Sequence, residues 1–343
     1  MIVNDFFMAI FFLVVGCEIK KEILYGNLSN IKKAAFPIIA ACGGVIFPAI
    51  IFFLFNSKTP YSLGVGIPIS TDIAFAIGVF MIFKNKLSSS LKIFLLSLAV
   101  VDDLLSILMI AFLYSSDFNY YALGFALIIV GFIVLLNKLS KKDFLMPYLI
   151  LGLILWALLY LSGIHATISG VILAMMLPTR RKNKNSKFDV TKKVERIFTS
   201  LCNFIILPLF AFSNTGISLD ISFNMVNAEN LMSGVILGLV IGKPLGIMLF
   251  TYLSTKFHIA EKPKDSRWSS IFLVSLIAGI GFTMSIFVTE IAFAGNLQVI
   301  NLAKFSILIA SLLSCTLAYI SIESMPMIIQ IYCKKSKKLV LNK

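Results

Sequence analysis

Long apolar stretches alternate with short polar stretches along the whole chain. A helix needs about 20 apolar residues to cross a bilayer core, and eleven stretches reach or approach that length. Membrane β-strands are shorter and alternate apolar with polar positions, so the pattern predicts an all-α polytopic membrane protein with one integral domain over residues 1–343. The predicted transmembrane segments are approximately 2–19, 34–55, 61–83, 91–114, 120–137, 144–162, 164–178, 197–216, 231–253, 271–293 and 303–331.

Two of these segments carry glycine and proline at membrane depth. Segment 61–83 contains GVGIPISTD and segment 271–293 contains AGIGFTMS. Broken helices are tolerated at that depth where the freed backbone lines a polar site. Each broken segment is the middle member of a triplet, and the two triplets, approximately 34–114 and 231–331, start on opposite sides of the membrane. The pattern is typical of inverted-repeat transporters whose interrupted helices cross at mid-membrane. Close packing of two glycine-rich helices is the alternative.

Basic residues lie on one side of this predicted topology. The loops after odd-numbered segments and the C-terminal tail carry 26 of the 30 Lys and Arg residues, whereas the other loops carry only Lys58. By the positive-inside rule, the C-terminus is cytoplasmic and the N-terminus as given is external. The formal net charge of +14 is therefore a topology signal, and the expected surroundings are the lipid bilayer rather than nucleic acid.

Composition agrees with a membrane protein. The chain is 59% hydrophobic and 13% charged, and its mean hydropathy of +0.97 is far from that of soluble domains. The five cysteines are widely spaced and form no CxxC motif, so neither a disulfide framework nor a cysteine metal site is indicated.

Four ionisable residues lie at mid-segment rather than at segment ends. Asp72, Asp102, Asp103 and Lys243 each fall near the twelfth or thirteenth residue of their segments, so they share a similar depth. An aspartate at mid-membrane costs roughly 2.5–3.5 kcal/mol on insertion scales. Such residues face a bundle interior or a water-filled cavity, and they are functional candidates by default.

The adjacent aspartates suggest a chemistry. Side chains of Asp102 and Asp103 diverge by about 100° around a helix, so both can border one cavity. Buried carboxylates that repel each other hold protons more strongly, and a nearby lysine opposes this effect. The pair is expected to titrate as a coupled unit. Ionised carboxylates also suit a hard cation, so proton and cation compete for one site, and competition combined with alternating access predicts exchange.

The ends of the broken helices carry partial charges that need compensation. Thr71 and Asp72 lie at the first break, and crossed broken helices place helix ends of like sign together. Asp72 fits as partner to the facing N-termini and Lys243 as partner to the facing C-termini. Asp72 serves either in ion ligation or in dipole compensation alone. Lys243 is either a fixed ion-pair partner of Asp102 or a group that shares its proton with that residue.

The chain resembles the NhaA family of bacterial sodium/proton antiporters. Seven motifs follow the family's order: FFLVVGCEIKKE, STDIAFAIGV, KIFLLSLAVVDDL, SGIHATISG, LPLFAFSNTGISL, GKPLGI and GIGFTMSIF. The resemblance implies a secondary transporter of the bacterial inner membrane that exchanges cytoplasmic Na+ or Li+ for external H+ without a cofactor. It implies that Asp102 and Asp103 form the ion-binding pair, with Thr71, Asp72 and Lys243 in support.

The resemblance also implies a pH response. The chain departs from the family at its first helix and at two positions that bear on pH regulation, where Arg181 replaces a loop acid and Thr199 replaces a histidine. Glu18 and Glu22 match the family's cytoplasmic acidic cluster, with Lys21 between them, and Glu195 matches its loop glutamate; a solvated helix end is the alternative for this cluster. The family has twelve crossing helices, so we expect its first helix and the following hairpin to be absent here. That hairpin aids dimerisation, and a homodimer of this chain would lack it.

Two alternatives to an active antiporter remain open at this point. A transport-inactive remnant would share the motifs while lacking the family's first helix. An intramembrane aspartyl protease also uses two membrane aspartates, but the GxGD element that such proteases carry is missing from the sequence.

Overall fold

A computed structural model describes residues 2–84, 86–114, 119–139, 145–179, 189–214, 226–263 and 266–341. Every regular element within these ranges is helical, which confirms the predicted all-α class. The α-helices are α1 (Ile2–Leu24), α2 (Ile31–Asn56), α3 (Ile73–Ile82), α4 (Ser89–Leu113), α5 (Tyr120–Leu139), α6 (Met146–Leu161), α7 (Ile168–Met176), α8 (Val190–Leu201), α9 (Leu207–Asn214), α10 (Ala228–Leu237), α11 (Lys243–Lys256), α12 (Trp268–Ala278), α13 (Phe282–Ala292) and α14 (Leu297–Leu341).

Several helices are long and apolar enough to cross a bilayer. Six such spans occur in the described part of the chain, and α12 with α13 forms a seventh if this pair, bent by 45° at its break, is one span. The predicted segment 164–178 is only the nine-residue helix α7 with flanking turns. The protein is thus a multi-pass membrane protein, and the count of eleven crossings stays a prediction.

Both predicted interruptions are present in the structure. The chain before α3 forms a single 3-10 turn, Ser62–Gly66, and then runs without helix through Ser70–Asp72. The predicted segment 61–83 implies an α-helix on each side of the break, but only the half after the break, α3, is α-helical. Glycine and proline leave the half before the break too few helix-forming residues. The second break, Gly279–Gly281, separates α12 from α13, as the sequence predicts.

Helices α2 and α11 pack with their backbones in close contact. A Cβ atom added to Gly43 would overlap the carbonyl oxygen of Gly246, and one added to Gly246 would overlap that of Gly43. A five-residue π-helical turn, Gly238–Gly242, precedes α11, and Gly242 faces Pro48 of α2. This approach of two backbones carries the first residue of α11, Lys243, into the centre of the bundle.

Two of the apolar clusters in the described part of the bundle contact α4 on either side of its aspartates. The first half of α4 joins one cluster through residues such as Leu98 and Val101. The second half joins the other through Ile107 and Ile110. The aspartates of α4 therefore lie between these two stretches.

Candidate functional site

The two helix breaks cross and are joined by their backbones. The N–H of Asp72 donates to the carbonyl of Ile280, 2.8 Å away. Ile280 lies in the second break, between α12 and α13. Backbone groups freed by each break are therefore partly satisfied by the other, as a protein interior without water requires.

A single carboxylate caps both helices that start at the crossing. Asp72 is the N-cap of α3, and its Oδ1 accepts from the N–H of Phe75 at 3.1 Å. Its Oδ2 accepts from the N–H of Thr283 in the first turn of α13 at 3.0 Å, and from the Thr283 hydroxyl. The carboxylate is buried, so its charge faces the positive ends of two helices at once.

Lys243 contacts both α4 and the chain just before the first break. Its Nζ is 2.7 Å from Oδ2 of Asp102 and also donates to the carbonyl of Ile69. Lys243 and Asp102 are both fully buried. The ammonium therefore bridges the carboxylate of Asp102 and the backbone just before the first break. Lys243 itself directly follows the π-helical turn Gly238–Gly242. Such turns are frequent at functional sites.

Thr71 completes the surroundings of one Asp102 oxygen. The Thr71 hydroxyl lies 2.6 Å from Oδ2 of Asp102 and 3.0 Å from the carbonyl oxygen of Ala278. Oδ2 of Asp102 therefore has two partners, an ammonium and a hydroxyl. Oδ1 of Asp102 is buried without a partner among the described residues. That free oxygen is available to a ligand.

Asp103 has none of the partners that Oδ2 of Asp102 has. The side chain is fully buried, and neither carboxylate oxygen has a hydrogen-bond partner within the described ranges. A buried carboxylate without a partner is strongly unfavourable when ionised. Asp103 is therefore stable in this environment when it carries a proton or when a cation lies beside it.

The structure thus brings together five of the residues singled out in the sequence. They are Thr71, Asp72, Asp102, Asp103 and Lys243. Sequence reasoning missed Thr283 and Ser285, although the motif GIGFTMSIF contains both. The hydroxyl of Ser285 donates to the carbonyl of Ile67 at 2.8 Å, which ties α13 to the chain before the first break. A hydroxyl just after a glycine break is the signal that would have indicated this role.

The four residues for which the resemblance predicts a pH response lie elsewhere, at the end of α1 and on α8. Lys21 forms an ion pair with Glu195, and Glu18 is near enough to Glu195, Lys21 and Glu22 for their charges to interact. Packing connects this cluster to the site around Asp102 and Asp103, because Ile19 and Val15 of α1 pack against Val100 of α4. Val100 lies two residues before Asp102.

Donor chemistry restricts what the central site could hold. No group of three or more His, Cys, Asp or Glu side chains suited to a metal ion occurs in the part of the chain that the structure describes. Cys17, Cys42, Cys202 and Cys315 are free thiols. The central site instead offers carboxylate, hydroxyl and carbonyl oxygens, which are ligands for hard cations.

Comparison with known proteins identifies a family. A family model described as Na+/H+ antiporter 1 matches residues 1–322 of this chain. The chain is 45% identical over 323 residues to a Na(+)/H(+) antiporter NhaA 2 of Flavobacterium johnsoniae, an alignment that covers 94% of this chain and 78% of that protein.

Two further relatives are similar over most of their length. The Na(+)/H(+) antiporter NhaA of Pelagibacter ubique is 44% identical over 318 residues, covering 92% of this chain and 81% of the relative. The corresponding antiporter of Helicobacter acinonychis is 41% identical over 350 residues, covering 91% of this chain and 80% of the relative.

Proposed function

This chain belongs to the Na+/H+ antiporter 1 family, and from that premise we propose that it exchanges cytoplasmic Na+ or Li+ for external H+ across the bacterial inner membrane. Na+, Li+ and H+ are the substrates, and no cofactor takes part. The relatives are antiporters rather than enzymes, which leaves the intramembrane aspartyl protease without support. A homodimer stays a prediction.

The observation that carries the proposal is the unpartnered carboxylate of Asp103 beside the partnered carboxylate of Asp102. A site of two carboxylates and one ammonium has room for one further positive charge. A cation bound between the free oxygens of the pair supplies that charge, and a proton on Asp103 supplies it when the cation leaves. Occupancy by one ion excludes the other, which is the condition for exchange.

The fixed groups around the pair set its resting geometry. Lys243 and Thr71 hold Oδ2 of Asp102, so Oδ1 and both oxygens of Asp103 remain to contact a cation. Exchange of the Asp103 proton alone for one cation would move no net charge. A second proton, from Asp102 or Lys243, is proposed to leave as the cation binds, so that two protons are released for each bound cation and each cycle moves net charge across the membrane. We therefore expect exchange to be electrogenic.

Asp72 and Lys243 also compensate the helix ends at the crossing. Asp72 caps both helices that begin there, which favours dipole compensation over direct ion ligation for this residue. We propose that the repeats 34–114 and 231–331 move against each other around this crossing, since two oppositely oriented repeats give alternating access by that motion. We also propose that the C-terminus is cytoplasmic, because the basic residues lie mostly in the loops on that side.

We propose the cluster of Glu18, Lys21, Glu22 and Glu195 as the site of a pH response. Titration of its carboxylates changes the balance of charge between α1 and α8, because Lys21 bridges the two helices. The packing of Ile19 against Val100 provides a physical connection from that cluster to the α4 segment that carries the aspartates.

Proteoliposomes or everted vesicles test the proposed exchange. Addition of Na+ is expected to dissipate a preformed proton gradient with the parent protein and not with Asp103→Asn. Imposing a membrane potential should change the rate; a rate that ignores the potential would contradict electrogenic exchange. A correctly inserted and folded parent protein without Na+-dependent proton movement would overturn the proposal in favour of the inactive remnant.

A further inference from the structure

Ser106 is a buried hydroxyl one turn along α4 from the aspartate pair. It follows Asp102 by four residues and Asp103 by three. On a helix of 3.6 residues per turn, its side chain is directed about 40° from Asp102 and about 60° from Asp103, between the two. The rise places it about 4.5 Å beyond Asp103 and about 6 Å beyond Asp102 along the helix axis. Ser106 therefore shares the helix face from which both carboxylates project.

The Ser106 hydroxyl lacks the contact that several other buried helical hydroxyls in this protein make. Thr251, Thr289 and Ser306 each donate to the carbonyl four residues earlier, at 2.7–2.8 Å. Oγ of Ser106 is buried and has no partner among the described residues. A buried polar group without a partner costs roughly 1–3 kcal/mol, and such a group in a native protein calls for a ligand, a water or a functional role.

Unpartnered oxygens are concentrated on this face of α4. Oδ1 of Asp102, Oδ1 and Oδ2 of Asp103 and Oγ of Ser106 are all buried without a partner within the described ranges. They come from two carboxylates and one neutral hydroxyl. This donor set suits a small hard cation, and a site for such an ion needs more oxygen ligands than one carboxylate supplies.

We propose that Oγ of Ser106 is a further oxygen ligand of the transported Na+ or Li+, beside the carboxylates of Asp102 and Asp103. This inference rests on the proposed antiport. The hydroxyl contributes a lone pair without adding charge, so it strengthens cation binding without adding another protonating group to the pair. Loss of the hydroxyl should therefore raise the Na+ concentration needed for binding and leave the exchange step itself intact.

Ser97 provides a matched control on the same helix. It is also buried, and its hydroxyl also lacks a partner among the described residues. It precedes Asp102 by five residues, so its side chain is directed to nearly the opposite face of α4. Removal of the Ser97 hydroxyl tests the general effect of a serine-to-alanine change in α4 without touching the proposed ligand set.

The experiment measures Na+ affinity in the purified full chain. The Kd for Na+ is measured by calorimetry at alkaline pH, and the KM for Na+ is measured in proteoliposomes, for the parent, Ser106→Ala, Ser106→Thr, Ser106→Cys and Ser97→Ala. We expect Ser106→Ala to raise both Kd and KM about tenfold, which corresponds to about 1.4 kcal/mol, with Vmax kept within about twofold. Ser106→Thr retains the hydroxyl, so it should raise Kd and KM less than Ser106→Ala does.

The cysteine variant separates ligation from packing. A thiol fills nearly the same space but is a soft ligand that suits Na+ poorly, so Ser106→Cys should behave as Ser106→Ala. Three results would overturn the inference. Ser106→Ala could keep the parental Kd and KM, Ser106→Ala and Ser97→Ala could raise them equally, or Ser106→Cys could keep the parental values. A parent that binds Na+ but does not transport would overturn the proposed antiport alone, and the Kd series would still decide the role of Ser106.

Discussion

Nζ of Lys243 lies 2.7 Å from Oδ2 of Asp102, and both side chains are fully buried. The next residue, Asp103, is equally buried but has no partner for either oxygen among the described residues. Two adjacent carboxylates in one helix thus differ in their electrostatic environment. Asp102 is paired with Lys243, whereas Asp103 has no protein partner within the described ranges and is the carboxylate that we propose for the exchanging ions.

Removal of the lysine should destabilise the fold strongly. Lys243→Met keeps the length of the side chain but leaves Asp102 as a buried charge, and breaking a buried pair from one side costs roughly 3–5 kcal/mol. We expect a correspondingly lower Tm in lipid nanodiscs. Lys86→Met is the control, because its ion pair with Glu323 is about half exposed and such pairs contribute about 0–1 kcal/mol. Equal Tm values for the two variants would contradict the importance of the buried pair.

Asparagine at the two aspartates should have opposite consequences for stability. Asp102→Asn leaves the Lys243 ammonium buried without its counter-charge, so the free energy of unfolding should fall by roughly 3–5 kcal/mol. Asp103→Asn removes a charge that has no protein partner, so stability should stay the same or rise. Thermal unfolding of both variants at neutral pH measures the difference. A greater loss of stability in Asp103→Asn would refute the assignment of partners.

Asp72 should contribute to stability through two helix N-termini. Asp72→Ala removes the acceptor for α3 and for α13, and a lost cap costs roughly 0.5–2 kcal/mol per helix. The expected loss is therefore roughly 1–4 kcal/mol. Ser88→Ala is matched to it, because Ser88 is the N-cap residue of α4 but makes no side-chain capping bond. Its Tm should stay near that of the parent; a loss in Ser88→Ala as large as that in Asp72→Ala would argue against the double cap.

The contact between α2 and α11 should tolerate no additional atom. Gly246→Ala places a Cβ against the carbonyl of Gly43, and overpacking a well-filled interior costs roughly 1–3 kcal/mol. The variant should unfold at a lower temperature and lose transport, because Lys243 shifts with its helix. In Gly124→Ala, the added Cβ meets nothing within 4 Å, so stability should be kept or raised by up to about 1 kcal/mol. Parental behaviour of Gly246→Ala would show that the helices can separate freely.

The pair Lys21–Glu195 should influence the pH profile of transport. Lys21→Glu replaces the bridging cation by a fourth acid beside Glu18, Glu22 and Glu195, and neighbouring negative charges favour protonation of carboxylates. The pH of half-maximal activity should therefore move upward, whereas Na+ binding at the central site should remain. The double exchange Lys21→Glu with Glu195→Lys restores the pair and should return the profile toward the parental one. Identical profiles for all three proteins would exclude this cluster from the pH response.

Sequence reasoning identified the class of protein and the depth of its polar residues. The apolar stretches are long, and the charges between them are asymmetric, so an all-α membrane protein follows from the thickness and low polarity of the bilayer. The four mid-segment ionisable residues stood out for the same reason, since each is expensive in hydrocarbon. Glycine and proline indicated both breaks because they cannot maintain a continuous helix.

The partners of those residues depend on tertiary contacts. Lys243 is expected from the sequence to pair with Asp102, and the structure has this pair. The second contact to the same oxygen, from Thr71, and the lack of a partner for Asp103 among the described residues depend on which helices approach α4. Thr283 and Ser106 went unnoticed because a hydroxyl in a helix is ordinary until its surroundings are known. Depth in the membrane is a property of the sequence, whereas the pairing of buried charges is determined by which helices cross.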